Sequence, residues 1–234
     1  MDPDKIYSDY TFWRHEGLNP IVTAESYATL LLEERLGELN DEQKKWVRII
    51  LRNSKEARRS WDDFGAYLQA RYHLQKNADR PQFLADAIRH ALTSNLQRYK
   101  YLARPEIVEI EIPASMQMTR INPEFESVFF YLLAPAFKLM ETNETAHAIT
   151  PKITASLKNA GTVTLQMHSA VRHFHIPENR QTDFPYPNID INLAYFILKQ
   201  KGVLLNMEVV SGEREAMTMI DFNFDLPIWQ ENAV

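Results

Sequence analysis

Cysteine is absent from all 234 residues, which excludes disulfides, thiolate metal sites and cysteine nucleophiles. Glycine is scarce. Six occur, at 17, 37, 65, 161, 202 and 212, so chemistry that needs a glycine-rich cradle has few places to sit. No apolar run approaches the roughly 18–20 residues of a membrane-spanning helix. The opening Met1-Asp2-Pro3-Asp4 does not read as a signal peptide. An excess of positive charge is missing too: the formal charge is −5, whereas nucleic-acid phosphates demand a basic footprint. The expectation is a soluble, cytoplasmic protein with no membrane span and no nucleic-acid partner.

What is present suits one large or two small globular domains, with 45% hydrophobic and 24% charged residues. Apolar positions such as Ile21, Ala24, Ala28, Leu31 and Leu32 recur at helical spacing from about Tyr10 to Leu36, where Gly37 is expected to end the run. Asn40-Asp41-Glu42 then reads as a cap with acid in the first turn. A second long helix follows, with Trp46, Ile49, Ile50, Ser54, Ala57, Trp61, Phe64, Tyr67 and Leu68 on one broad stripe. Two long helices joined by a few residues form an antiparallel hairpin, and dimerisation into a four-helix bundle is its natural completion. The polar stretch Lys76–Pro81 reads as a linker, giving a hairpin over 1–76 and a second domain over 81–234. That second part predicts helices around Gln82–Tyr101, Pro123–Met140 and Ile189–Gln200. Strands are expected near Ile107–Ile112, Ile149–Leu157, Gly161–Ser169, Val203–Val210 and Met217–Phe224. The class is α+β, a mixed sheet covered on one face by helices, and the nearly all-apolar Pro123–Met140 helix should be buried.

The chemistry concentrates in His15-Glu16-Gly17-Leu18-Asn19-Pro20. Positions i and i+4 share a helical face, so His15 and Asn19 can address one reacting group. Glu16 lies about 100° round the helix and can reach the imidazole from the side. A zinc-protease reading fails, because Asn19 stands where a second histidine is needed. Gly17 weakens the helix by about 1 kcal/mol relative to alanine, so the segment is expected to be mobile. A second histidine group, His168, His173 and His175 beside Arg172, suggests a metal or anion site only weakly, with Glu178 the one carboxylate close by in sequence; a remodelled loop is the simpler reading, and no metal is expected. The charge runs Glu33-Glu34-Arg35 and Lys55–Arg59 read as solvated faces with i,i+4 pairs.

The hexapeptide resembles the H-box of sensor histidine kinases. The likeness continues through Tyr27–Glu33, Ile49–Asn53 and Trp61-Asp62-Asp63-Phe64, and residues 82–227 are similar in element order to the ATP-binding domain, ending Asp225-Leu226-Pro227. The resemblance implies a dimerisation and phosphotransfer hairpin, with His15 as phosphoacceptor, Glu16 orienting it or taking its proton, and Asn19 positioning a water. It implies a histidine-kinase ATPase-like α/β sandwich after it. The nucleotide motifs, however, are replaced. The stretch aligned with the family's asparagines reads Tyr131-Leu132-Leu133-Ala134-Pro135-Ala136-Phe137-Lys138; no Asp or Glu occurs between Thr145 and Pro177; and Asp183–Asn188, leading into the next helix, has two prolines and no glycine. No ATP and no other cofactor are therefore expected. The pattern is similar to dimeric histidine phosphotransferases with a vestigial ATP-binding domain, whose partner is a response-regulator receiver domain. A pseudokinase scaffold with His15 unused is the alternative, and a third is a small-ligand cavity lined by Tyr131 and Phe137.

Overall fold

The computed structural model describes residues 3–71, 80–99, 108–142, 150–172, 186, 188–214 and 217–229. Most of the Lys76–Pro81 stretch, the segment 143–149, His173 and His175, and Asp183–Pro185 lie outside the described residues. The chain divides into two compact units, Met1–Gln75 and Lys76–Val234.

The first unit is a helical hairpin of α1 (Pro3–Leu32) and α2 (Asp41–Arg71). The break between them falls earlier than Gly37. Arg35 N–H donates to the Leu30 carbonyl at 3.1 Å and Glu34 N–H to that of Leu31 at 3.0 Å. This is a Schellman closure, and Glu34 takes its left-handed position at φ 58°. Gly37 supplies a second reversal at φ 118°. Asn40 and Gln43 then form a reciprocal capping box, each side chain bonded to the other's backbone N–H at 2.9 Å. Asp41 and Glu42 in the first turn complement the helix dipole.

The charge runs form pairs outside the i,i+4 spacing. Arg35 pairs with Glu33 at 2.8 Å, Lys44 reaches back to Glu34 at 2.6 Å, and Arg58 crosses to Glu25 on α1 at 3.1 Å. Tyr10, Ala28, Val47 and Leu68 are buried in the seam. Trp13 and Trp46, by contrast, are 62% and 59% exposed, and Phe12, Tyr27, Ile50 and Phe64 also face outward.

The second unit begins with a short strand and helix, β1 (Gln82–Phe83) and α3 (Leu84–Arg98), followed by β2 (Glu109–Glu111), a 3-10 turn at Ala114–Met116 and β3 (Arg120–Ile121). Then come α4 (Phe125–Thr142), β4 (Lys152–Asn159), β5 (Thr162–Arg172), α5 (Ile189–Gln200), β6 (Asn206–Arg214) and β7 (Met217–Pro227). The five-stranded sheet runs β2-β4-β5-β7-β6, with β2 and β4 parallel and the remaining neighbours antiparallel. A two-residue ladder of β1 with β3, which sequence periodicity does not reveal, pins the start of α3. Strand β6 holds one edge of the sheet and shifts register against β7 twice, between Val209 and Ser211 and between Gly212 and Arg214.

Alternation divides the sheet faces. Ile153, Val163, Leu165, Met167, Ile220, Phe222, Phe224 and Leu226 are fully or almost fully buried, and Phe129 of α4 meets Phe224 at 6.4 Å between ring centroids. The opposite face is polar. His168 there contacts Asp221 at 2.6 Å, and Asp225 accepts from Thr164 at 2.6 Å and pairs with Lys158 at 2.5 Å. Lys158 first, and then Thr164, holds the Asp225 carboxyl below its ordinary range. Helix α4 is buried as its composition requires, with Phe125, Val128, Phe129, Leu132, Leu133, Ala134 and Phe137 out of solvent.

Candidate functional site

His15 stands on the outer surface of α1, its side chain 73% exposed. Nδ1 lies 3.6 Å from Glu16 Oε1 and 3.5 Å from Asn19 Nδ2. Both separations exceed normal hydrogen-bond lengths, so the neighbours flank the imidazole without fastening it. Helical spacing brings the three side chains together, and all are exposed. Pro20 sits inside the unbroken helix and has no N–H to give, so the Glu16 carbonyl loses its helical donor.

The inner side of the same turn is tightly held. A Cβ on Gly17 would meet Trp61 Cζ2 at 2.8 Å and Cε2 at 3.1 Å; one on Gly65 would meet the Tyr10 hydroxyl oxygen at 2.2 Å. The two glycines are therefore notches, each receiving an aromatic side chain from the opposite helix. The expected mobility of Gly17 is thus not its main role: it admits Trp61. Tyr10 donates its hydroxyl proton to the Trp61 carbonyl at 2.7 Å, and its ring meets Phe64 edge-on at 5.6 Å. Arg14, the residue before His15, donates to Asp62 at 2.6 Å, and that hydrogen bond raises the Arg14 pKa. Tyr10, Arg14 and Gly17 are spaced four and three apart, the repeat of a packed helical seam. Sequence reasoning missed this arrangement. The available signal was two glycines deep inside helices, where each costs about 1 kcal/mol unless something requires it.

In the second unit, the stretch that the resemblance sets against the family's asparagines is largely buried. Ala134 and Pro135 are buried, while Lys138 reaches Asp190 at 2.8 Å. Asp190 is fully buried in the first turn of α5. The helix start is capped internally, with Asn188 Oδ1 accepting from Asp190 N–H at 2.9 Å and Ile191 N–H at 3.2 Å. Asn192 fixes the incoming chain, accepting from Tyr186 N–H at 3.1 Å and donating to the Tyr186 carbonyl at 2.7 Å. Phe137 is fully buried and stacks on Tyr99 at 6.0 Å, so the expected cavity lined by Phe137 gives way to core packing. Among the described residues, clefts lie around Lys158, Gly202, Val203 and Asp225 and around Tyr186, Tyr195 and Leu204. Among the described residues no group of three or more His, Cys, Asp or Glu side chains could hold a metal.

No family model matches the chain, and no curated protein matches it. Solved structures do. Full-length ShkA in complex with AMPPNP aligns with a TM-score of 0.59 and 15% identity over 97% of this chain and 47% of that one. The histidine kinase AdeS of Acinetobacter baumannii aligns with a TM-score of 0.49 and 9% identity over 92% of this chain and 98% of that one. The chain thus spans about half the length of ShkA. Among the described residues no helix is long and apolar enough to cross a membrane. In fold, the chain is a histidine-kinase-like core, a helical hairpin followed by an α/β sandwich.

Proposed function

We propose that this protein is a dimeric phosphorelay component, in which His15 takes a phosphoryl group from an aspartyl phosphate on a response-regulator receiver domain and returns it to another. The observation that carries the reading is the exposed imidazole of His15, its Nδ1 side flanked by Glu16 and Asn19. In this reading the ring proton sits on the Nδ1 side, toward Glu16, which leaves the lone pair on Nε2. In the transfer, Nε2 forms a bond to phosphorus as the bond between phosphorus and the receiver's carboxylate oxygen breaks. The electron pair of that bond leaves on the carboxylate, and Glu16 stabilises the positive charge on the ring through the Nδ1 proton. The acyl phosphate supplies the driving force, and the Mg²⁺ belongs to the receiver. Asn19 stands on the same face as His15 and is placed to direct a water if the reaction runs as a phosphatase.

Transfer without ATP is supported by the second unit. Buried Ala134 and Pro135 offer no polar side chain to a nucleotide, and the lysine nearest that stretch is committed to Asp190. The α5 N-terminus, where a phosphate would bind, is filled by Asn188 and followed by a buried carboxylate. Dimerisation through the hairpin is supported by the outward Trp13, Trp46, Tyr27 and Phe64, a set a lone hairpin leaves in water.

The test is transfer of radiolabelled phosphate from a panel of phosphorylated receiver domains, with an ATP-only lane and a His15→Ala control. Label should reach the wild-type chain from a receiver, not from ATP, and fall to background in the variant. If no receiver loses phosphate to the chain, the phosphotransfer reading fails and a scaffold that acts by binding replaces it.

A further inference from the structure

The turn that carries His15 is weak along its own axis and strong across it. Gly17 lowers its helical stability, and Pro20 removes a backbone bond from Glu16. Left to itself, such a turn can open locally, and loss of helical geometry between residues 15 and 19 would part His15 from Asn19 and from Glu16. Across the hairpin the same turn meets the Trp61 indole, whose Cζ2, Cε2 and Nε1 would stand 2.8, 3.1 and 3.3 Å from a Cβ on Gly17. The tryptophan is fixed in turn: Tyr10 holds its carbonyl at 2.7 Å and sits in the Gly65 notch, and the adjacent Asp62 binds Arg14.

We propose that Trp61 is a positioning residue for His15: by resting on the bare backbone of Gly17 it keeps the weakened turn helical, and so keeps the Nδ1 side of His15 beside Glu16 and Asn19 and Nε2 outward. This rests on His15 being the phosphoryl carrier, and it adds a contact from the second helix that the hexapeptide does not contain. Trp61 touches neither the phosphoryl group nor the imidazole, and it acts only through the contact at Gly17.

The experiment compares Gly17→Ala, Trp61→Leu and the double variant in the full chain, after circular dichroism has confirmed that the hairpin helices are retained. Two readouts are taken. One is the rate of phosphoryl transfer to His15 and the receiver concentration at half-maximal rate. The other is the His15 tautomer, read from long-range ¹H–¹⁵N spectra of histidine-labelled protein with His15→Gln for assignment. Gly17→Ala should slow transfer about tenfold at unchanged half-saturation and reduce the Nδ1–H tautomer. Trp61→Leu should shift both in the same direction, about threefold in rate. The double variant, which removes the clashing ring atoms, should recover most of what Gly17→Ala loses.

Wild-type tautomer and rate in both single variants would overturn the proposal. So would a double variant no better than Gly17→Ala, because the lesion would then lie in the helix backbone and not in the contact. Should wild-type protein accept no phosphate from any receiver, the tautomer readout still decides the point. A Gly17→Ala shift reversed in the double variant would keep Trp61 as the positioning residue while the phosphotransfer reading fell.

Discussion

The two units of the chain treat their polar and apolar side chains in opposite ways. The hairpin keeps its imidazole in water and leaves Trp13, Trp46 and Phe64 exposed. The second unit buries Phe125, Phe129, Phe137, Phe222 and Phe224 almost completely and uses its conspicuous polar groups on itself, Lys138 with Asp190 and Lys158 with Asp225. The contrast separates two kinds of surface. On the proposed reading the hairpin keeps its exposed rings for other molecules, whereas the second unit packs its phenylalanines internally and leaves aliphatic side chains such as Leu157 and Leu204 outside. Substitutions should follow that division, changing chemistry or association in the hairpin and stability in the sandwich.

His15→Ala should give the largest effect, loss of phosphoryl acceptance to background with a stability change within about 0.5 kcal/mol, as expected for an exposed site. A large stability loss in chemical denaturation would erase the distinction between the units. Phe137→Ala should cost the second unit about 3–5 kcal/mol, measured by hydrogen exchange of the α4 and β5 amides, while the α1 and α2 amides keep their protection. Lys138→Met removes the ammonium that faces the buried Asp190 carboxylate and should cost about 3 kcal/mol by the same measurement. A stabilising result would mean that Asp190 is protonated and the pair is not ionic. Trp46→Ala should raise the dimer dissociation constant about thirtyfold, the loss of a typical aromatic anchor of about 2 kcal/mol, in sedimentation equilibrium at unchanged helix content.

The smallest effect is acid dependence. Lys158 and Thr164 lower the folded-state pKa of Asp225 from 3.8. The group therefore contributes stability that is fully present above its unfolded-state value and is lost as pH falls through the depressed folded value. Asp225→Asn should remove that increment, so wild type and variant converge as pH falls below the depressed folded value. A gap that widened on acidification would refute the assignment.

The fold was legible wherever periodicity was long and one-sided. The two hairpin helices, the buried α4 and strands β4 to β7 all follow from spacing, and Asn40 announces its cap. The two-residue β1–β3 ladder left no trace, since two residues carry no period. The helix end at Leu32 was missed because Glu34, and not glycine, takes the left-handed turn. At the candidate site, the nearness of His15, Glu16 and Asn19 was readable because helical geometry brings them together. Trp61 and Tyr10 were not, because their partners lie across the hairpin and only tertiary packing pairs them. Tyr131 and Phe137 suggested a cavity because the asparagines expected on that helix are absent, but an apolar helix without them simply joins the core. Arg58 pairs with Glu25 across the hairpin for a related reason, since a long side chain beside a neighbouring helix need not stay on its own face.

The two register shifts along β6 have a consequence for how copies of this chain can meet. A straight, unpaired strand offers a continuous row of backbone donors and acceptors, on which a second molecule can add and then a third, without end. A strand displaced at Val209–Ser211 and again at Gly212–Arg214 breaks that row into lengths too short to template another strand. Growth at the β6 edge is disfavoured, and on the proposed reading assembly falls to the helices, where a two-fold contact closes on itself and stops at two.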